Sequence, residues 1–279
     1  MNTINASSDK HCNLYTERKR AVLVVNYGTS SINSRDRSIG AIEAAIANAL
    51  PDYEVRRAFT SQIVIDTIRQ KYAEEVDNVE QALKMLINDG IEALVIQPTH
   101  ILCGHEYSSL ACVVERYKDK FQSVSMGAPL LTDDNDYTML VNALADETAE
   151  YSSADTAIVF IGHGTDSQAN SAYLKLQEKF TAKGRRNYFV GTLNAVPTSE
   201  EVIASVKAGR YKRVVLRPLT VTAGIHASRD IAGDKNSLKV SFEAEGFEVC
   251  CILKGIGEIK AVQNIYAVHA REAVSRLMI

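Results

Sequence analysis

The chain carries five cysteines, an odd number, and no two of them form a Cys-x-x-Cys pair. Neither a disulfide framework nor a thiolate zinc site is therefore expected. A Gly-x-Gly-x-x-Gly turn and a Walker lysine motif are both missing, so a nucleotide site has no support. Ser30, Ser31 and Ser61 could be nucleophiles, but no Gly-x-Ser-x-Gly elbow accompanies them, and a hydrolase is disfavoured. No long run of one charge sign occurs, and the net charge is −3, which makes nucleic acid an unexpected partner. The first twenty residues are polar, with no apolar stretch of signal-peptide or membrane-spanning length. Residues 1–19 read as a flexible leader, no membrane partner is expected, and the expected compartment is the cytoplasm.

What is present fits a folded chain of 279 residues with 46% hydrophobic and 23% charged side chains. That length suits two α/β cores, divided here into 20–135 and 136–279, with a terminal helix packing back. Ala21–Val25 and Ala157–Ile161 are short, unbroken apolar runs that read as strands buried on both faces, hence parallel sheet. Ala93–Ile96, Val214–Leu216 and Phe247–Leu253 are further strands, the last read as buried with Cys250 and Cys251 on opposite faces. Helical spacing joins Ile39, Ile42, Ile46 and Leu50, then Val79, Ala82, Leu83 and Leu86, and later Ile259, Val262, Ile265, Val268 and Leu277. Thr198-x-x-Glu201 is a capping box opening a helix that ends at Gly209. Strands alternating with helices give the expected fold class: α/β, two similar doubly wound domains with parallel sheets and a cleft between them.

The two halves match at their strand ends. Tyr27-Gly28-Thr29-Ser30 pairs with His163-Gly164-Thr165-Asp166. Val95-Ile96-Gln97-Pro98, then Gly104 and Glu106, pairs with Val215-Leu216-Arg217-Pro218, then Gly224 and His226, at equal separations. Ligands of open α/β sheets bind beyond the carboxyl ends of the strands, so Tyr27, Glu106, His163 and His226 are expected to border one crevice. His163 and His226, one from each of two strand ends, could hold a transition metal by imidazole. Glu106 could accept protons, bind metal, or merely favour the helix dipole. His100 and His105 lie beside it and either could reach the cleft, Arg229-Asp230 reads as a solvated pair, and His11 and His269 read as surface residues.

At these residues the sequence resembles the anaerobic sirohydrochlorin cobaltochelatases, a branch of the class II chelatases that also includes ferrochelatase. The resemblance runs from about Arg20 to Ala270. It rests on Val24–Ser30, Arg57–Ser61, Gln97–Ile101 with Gly104 and Glu106-Tyr107, Gly162-His163-Gly164, and Ala223–Ala227 with Asp230 and Ala232–Asp234. It implies a two-domain, chelatase-like fold with a tetrapyrrole cleft and nucleotide-independent insertion of Co2+ into sirohydrochlorin during cobalamin biosynthesis. By matched position, His163 is the catalytic histidine and a metal ligand, His226 the second histidine ligand, and Glu106 the motif glutamate facing the cleft. Tyr27, Thr29, Ser30, His100 and Arg217 are the expected tetrapyrrole-binding residues. Three positions depart from the family pattern. Asn194 replaces the usual glutamate ligand, Ile225 the usual aspartate before the second histidine, and Arg217 an apolar residue. These departures keep open another metal, Ni2+ or Fe2+, and a non-catalytic tetrapyrrole- or haem-binding relative. A small-molecule sensor of periplasmic-binding-protein shape is disfavoured, because it would not call for paired histidines. Oligomerisation into a homo-oligomer stays open.

Overall fold

The computed structural model describes residues 18–277, and the side chains of residues 225–227 lie outside that description. The leader expected over 1–19 and His11 thus fall almost wholly outside the described residues. The first half runs β1 (Arg20–Asn26), a helical turn α1 (Ile32–Ser34), a π-helical stretch Arg35–Gly40 leading into α2 (Ala41–Ala49), β2 (Glu54–Phe59), α3 (Gln62–Tyr72), α4 (Val79–Asn88), β3 (Ala93–Pro98), α5 (His105–Tyr117) and β4 (Ser123–Met126). Helix α6 (Asp134–Glu147) leads into β5 (Thr156–Gly162), α7 (Ser171–Ala182), β6 (Tyr188–Thr192), α8 (Ser199–Lys207), β7 (Arg213–Pro218), α9 (Ile225–Ala232), α10 (Leu238–Ala244), β8 (Glu248–Cys251) and α11 (Lys260–Ser275). Among the described residues no helix is long and apolar enough to cross a membrane.

Each half holds one four-stranded sheet, ordered β2-β1-β3-β4 and β6-β5-β7-β8, and every pairing is parallel. The doubly wound reading is therefore observed twice, with the same strand order. The apolar runs explain which strands are central. In β1, Val22 and Val24 enter one core cluster while Ala21, Leu23 and Val25 enter another, as the two-residue strand period requires. In β5, Ile158 and Phe160 join the first of these clusters, and Ala157, Val159 and Ile161 a third. One cluster thus spans the inner faces of both sheets. It also takes Val262, Ile265, Tyr266, Ala270 and Ala273 of α11, which packs on α2, α6 and β3.

Three expectations are revised. Strand β8 is an edge strand, paired with β7 alone, so Cys250 is exposed and the last strand is not buried. His269 is buried in α11, where its Nε2 meets Asp136 Oδ1 of α6 at 3.1 Å. The packing of α11 against α6 decides this, since one side of every inner helix faces core. The helix through Ile39 has π geometry over Arg35–Gly40 before becoming α-helical.

Candidate active site at the strand ends

Strand order reverses between β1 and β3 and again between β5 and β7, the switch points where ligands of open α/β sheets bind. Gly28 (φ +102°) and Gly164 (φ +82°), matched in the repeat, both adopt the left-handed backbone that a side chain resists. Each turns the chain sharply after its strand and leaves the preceding residue, Tyr27 or His163, exposed. The halves approach reciprocally. A Cβ on Gly224 would lie 3.1 Å from Thr29 Oγ1, and one on Gly104 would lie 3.8 Å from Ser167 Oγ. Both glycines precede helices, α9 and α5, so the repeat seen in sequence is a pseudo-twofold arrangement of strand ends across one crevice.

From the first half, Glu106 stands in the first turn of α5. Its Oε2 accepts a hydrogen bond from Thr60 Oγ1 at 3.0 Å and lies 3.7 Å from His100 Nε2. The second separation is an electrostatic contact, longer than a hydrogen bond. His100 follows β3, its side chain is 9% exposed, and neither ring nitrogen has a hydrogen-bond partner among the described residues. The His100 imidazole holds the Glu106 carboxyl below the usual glutamate range. Partial burial opposes that pull, and Thr60 and the more distant His163 add to it. From the second half, His163 follows β5. The amide nitrogen of Asn194, in the loop after β6, lies 3.5 Å from its Nδ1 and 3.4 Å from its Nε2. An atom nearly equidistant from both ring nitrogens cannot sit along the lone pair of either. The ring is therefore not committed to Asn194 and stays open to a ligand. The Asn194 amide donates instead to the His163 carbonyl at 3.2 Å, and its backbone N–H donates to the same oxygen at 3.1 Å.

The expected residues divide clearly. Glu106 and His100 stand together, as do His163 and Asn194, and Tyr27, Thr29 and Ser30 line the turn after β1. His226 begins α9 at the position matched to Glu106, and its side chain lies outside the described residues. Among the described residues no group of three His, Cys, Asp or Glu could hold a metal ion. Arg217 does not join the group. It sits beside Phe160 on the inner face, is 1% exposed, and its Nη1 lies 3.6 Å from Glu147 Oε2. Burial lowers its pKa, and Glu147 counters this. Ser31 and Ser61, weighed as nucleophiles, cap helices by accepting from Ser34 N and Val64 N.

One participant was not named as a site residue from the sequence: Thr60 reaches Glu106 from the loop after β2, and its signal was its place in the Arg57–Ser61 motif. His105, expected beside the cleft, contacts Asp166 Oδ1 through Nε2 at 2.9 Å, a polar link between the halves. Beside Thr60 and Glu106 opens a cavity of about 500 Å³, lined also by Phe59, Val79 and Leu110. A second, of about 410 Å³, adjoins Asn194 and Arg229. Each lies between the second strand of its half and the helix that follows the third.

Residues 20–275 match the cobalt chelatase (CbiK) family. A sirohydrochlorin cobaltochelatase of Salmonella typhimurium is 34% identical over 258 residues, covering 92% of this chain and 97% of its own. The sirohydrochlorin cobaltochelatase CbiKC of Nitratidesulfovibrio vulgaris is 31% identical over 268 residues, covering 93% and 92%. In fold, the chain is similar to SirB from Bacillus subtilis, solved with Fe3+, at a TM-score of 0.64 and 15% identity, with 91% of this chain and 95% of that one covered.

Proposed function

The chain belongs to the cobalt chelatase family, and from that premise we propose that it inserts Co2+ into sirohydrochlorin for cobalamin biosynthesis, without nucleotide and in the cytoplasm. The observation that carries this reading is that His163, with Asn194 beside it at the end of the second sheet, lies near enough to Glu106, with Thr60 and His100 beside it at the end of the first, to help hold its carboxyl ionised. Insertion exchanges two pyrrole N–H protons for one divalent ion, so the site needs proton acceptors and a weak, releasable hold on the metal. His163 serves both needs. Neutral imidazole binds Co2+ and accepts a proton near neutral pH. His226, from the start of α9, is the second imidazole ligand, and Asn194 a neutral oxygen donor that binds less tightly than the family glutamate. Glu106, across the crevice, is the second proton acceptor and is kept ionised by its neighbours. The macrocycle lies between the halves against Tyr27, Thr29 and Ser30, with His100 at the floor.

A second reading, a tetrapyrrole carrier without insertion chemistry, draws on Asn194 standing where a carboxylate ligand is usual. Absorbance-monitored insertion into sirohydrochlorin, comparing Co2+, Ni2+ and Fe2+ with a protein-free control, separates the two. We expect catalytic turnover with Co2+ that falls at least about a hundredfold in His163→Ala, the scale of a lost acid–base group. Spectral shifts on binding with uncatalysed insertion rates would establish the carrier, and faster turnover with Ni2+ or Fe2+ would name another metal.

A further inference from the structure

Glu106 has a difficulty as a proton acceptor: the hydrogen bond that Thr60 donates to it at 3.0 Å stabilises the charged form, so a proton placed on it is poorly retained. The group beside it answers that difficulty. His100 is nine-tenths buried, both its ring nitrogens lack partners among the described residues, and its Nε2 lies 3.7 Å from Glu106 Oε2. A buried imidazole whose two ring nitrogens lack hydrogen bonds is costly to hold in place. A buried ring facing a carboxylate is suited to exist as an imidazolium for part of a cycle.

Resting on the chelatase reading, we propose that His100 is a positioning residue that acts through Glu106 and receives the pyrrole proton from it. The pyrrole N–H bond breaks, its electron pair stays on the macrocycle nitrogen, and an O–H bond forms on Glu106. That bond then breaks as Nε2 of His100, in its Nδ1–H tautomer, takes the proton. Glu106 returns to carboxylate and His100 becomes imidazolium, paired with it at the same 3.7 Å contact. An imidazole is intrinsically a stronger base than a carboxylate, so the transfer runs downhill. Thr60, donating to Glu106 at 3.0 Å, fixes the carboxylate between crevice and ring. Of the other titratable groups, His163 from the end of β5 acts on Glu106, and Glu80 of α4 and His105 of α5, itself paired with Asp166, line the cavity beside it.

The test compares steady-state Co2+ insertion into sirohydrochlorin by wild type, His100→Asn and His100→Gln between pH 5.5 and 8.5. The relay requires kcat to fall about ten- to a hundredfold with both KM values within about twofold. It also requires the acid limb of log kcat against pH to become shallower, because a group that must be deprotonated is gone. Unchanged kcat and slope, or a loss confined to KM, overturns the relay while leaving the chelatase reading intact. Absence of wild-type turnover overturns both. Should neither variant fold, the His100 ring-proton NMR resonance of wild type and Glu106→Gln decides. Its titration midpoint must fall in Glu106→Gln, and an unmoved midpoint rejects the pairing.

Discussion

Asn194 is the residue whose chemistry most separates this site from the family pattern. Its backbone N–H donates to the His163 carbonyl at 3.1 Å, so a longer acid at this position would start from the same anchored loop. Asn194→Glu is expected to tighten Co2+ binding, read by calorimetry, about tenfold, equivalent to about 1.4 kcal/mol. Unchanged affinity would remove this residue from the metal site. Arg217 poses the opposite case, a charge expected from the sequence to bind the tetrapyrrole. Its guanidinium is buried, and Nε and Nη2 find no partner among the described residues. Replacing a buried charge with an apolar side chain of similar volume is often neutral or stabilising. Arg217→Met should therefore hold or raise the melting temperature and leave sirohydrochlorin affinity unchanged. A fall in affinity would return Arg217 to the substrate.

Among the elements, α11 links the site to the core. Val262, Ile265, Tyr266, His269, Ala270 and Ala273 share its buried face, spaced three and one apart as a helix demands. The Tyr266 hydroxyl donates to the Thr99 carbonyl at 2.8 Å, and Thr99 immediately precedes His100. Burial pushes the Tyr266 phenol well above its usual pKa, so it stays a neutral donor throughout the working range. Tyr266→Phe removes one buried hydrogen bond, which should lower stability by about 1–3 kcal/mol in chemical denaturation. Loss of much less would mean that the Thr99 carbonyl finds another donor.

For the whole molecule, the large shared cluster decides how the halves behave apart. Val22, Val24, Ile42 and Ile46 of the first half pack in the same cluster as Ile158, Phe160 and the buried face of α11. We propose the division near residue 135 as an architectural boundary that does not separate two independent folds. A fragment of residues 20–135 would expose the inner face of its sheet and should be aggregated or unfolded by circular dichroism and gel filtration. A monomeric, cooperatively melting fragment would show that α11 is dispensable to the first half.

How much of this was legible follows from the range of each interaction. Ala21–Val25 and Ala157–Ile161 announced central strands because burial on both faces leaves an unbroken apolar run. The repeat at Tyr27-Gly28 and His163-Gly164 announced strand ends, because only a glycine turns the backbone so sharply there. The fold class and the strand ends that carry Glu106 and His163 were thus written in local pattern. The short strands β2, β4 and β6 were not legible, since Glu54–Phe59 is half polar and Ser123–Met126 alternates with serine. Nor were the inward course of Arg217, the burial of His269, the reach of Thr60 to Glu106 or the isolation of His100. Each depends on which surface another, distant segment covers: α6 over Arg217, Asp136 against His269, α5 beside Thr60 and His100. Side-chain direction is set by the local backbone, but its partner and its share of water are set by packing, and only the tertiary structure decides those.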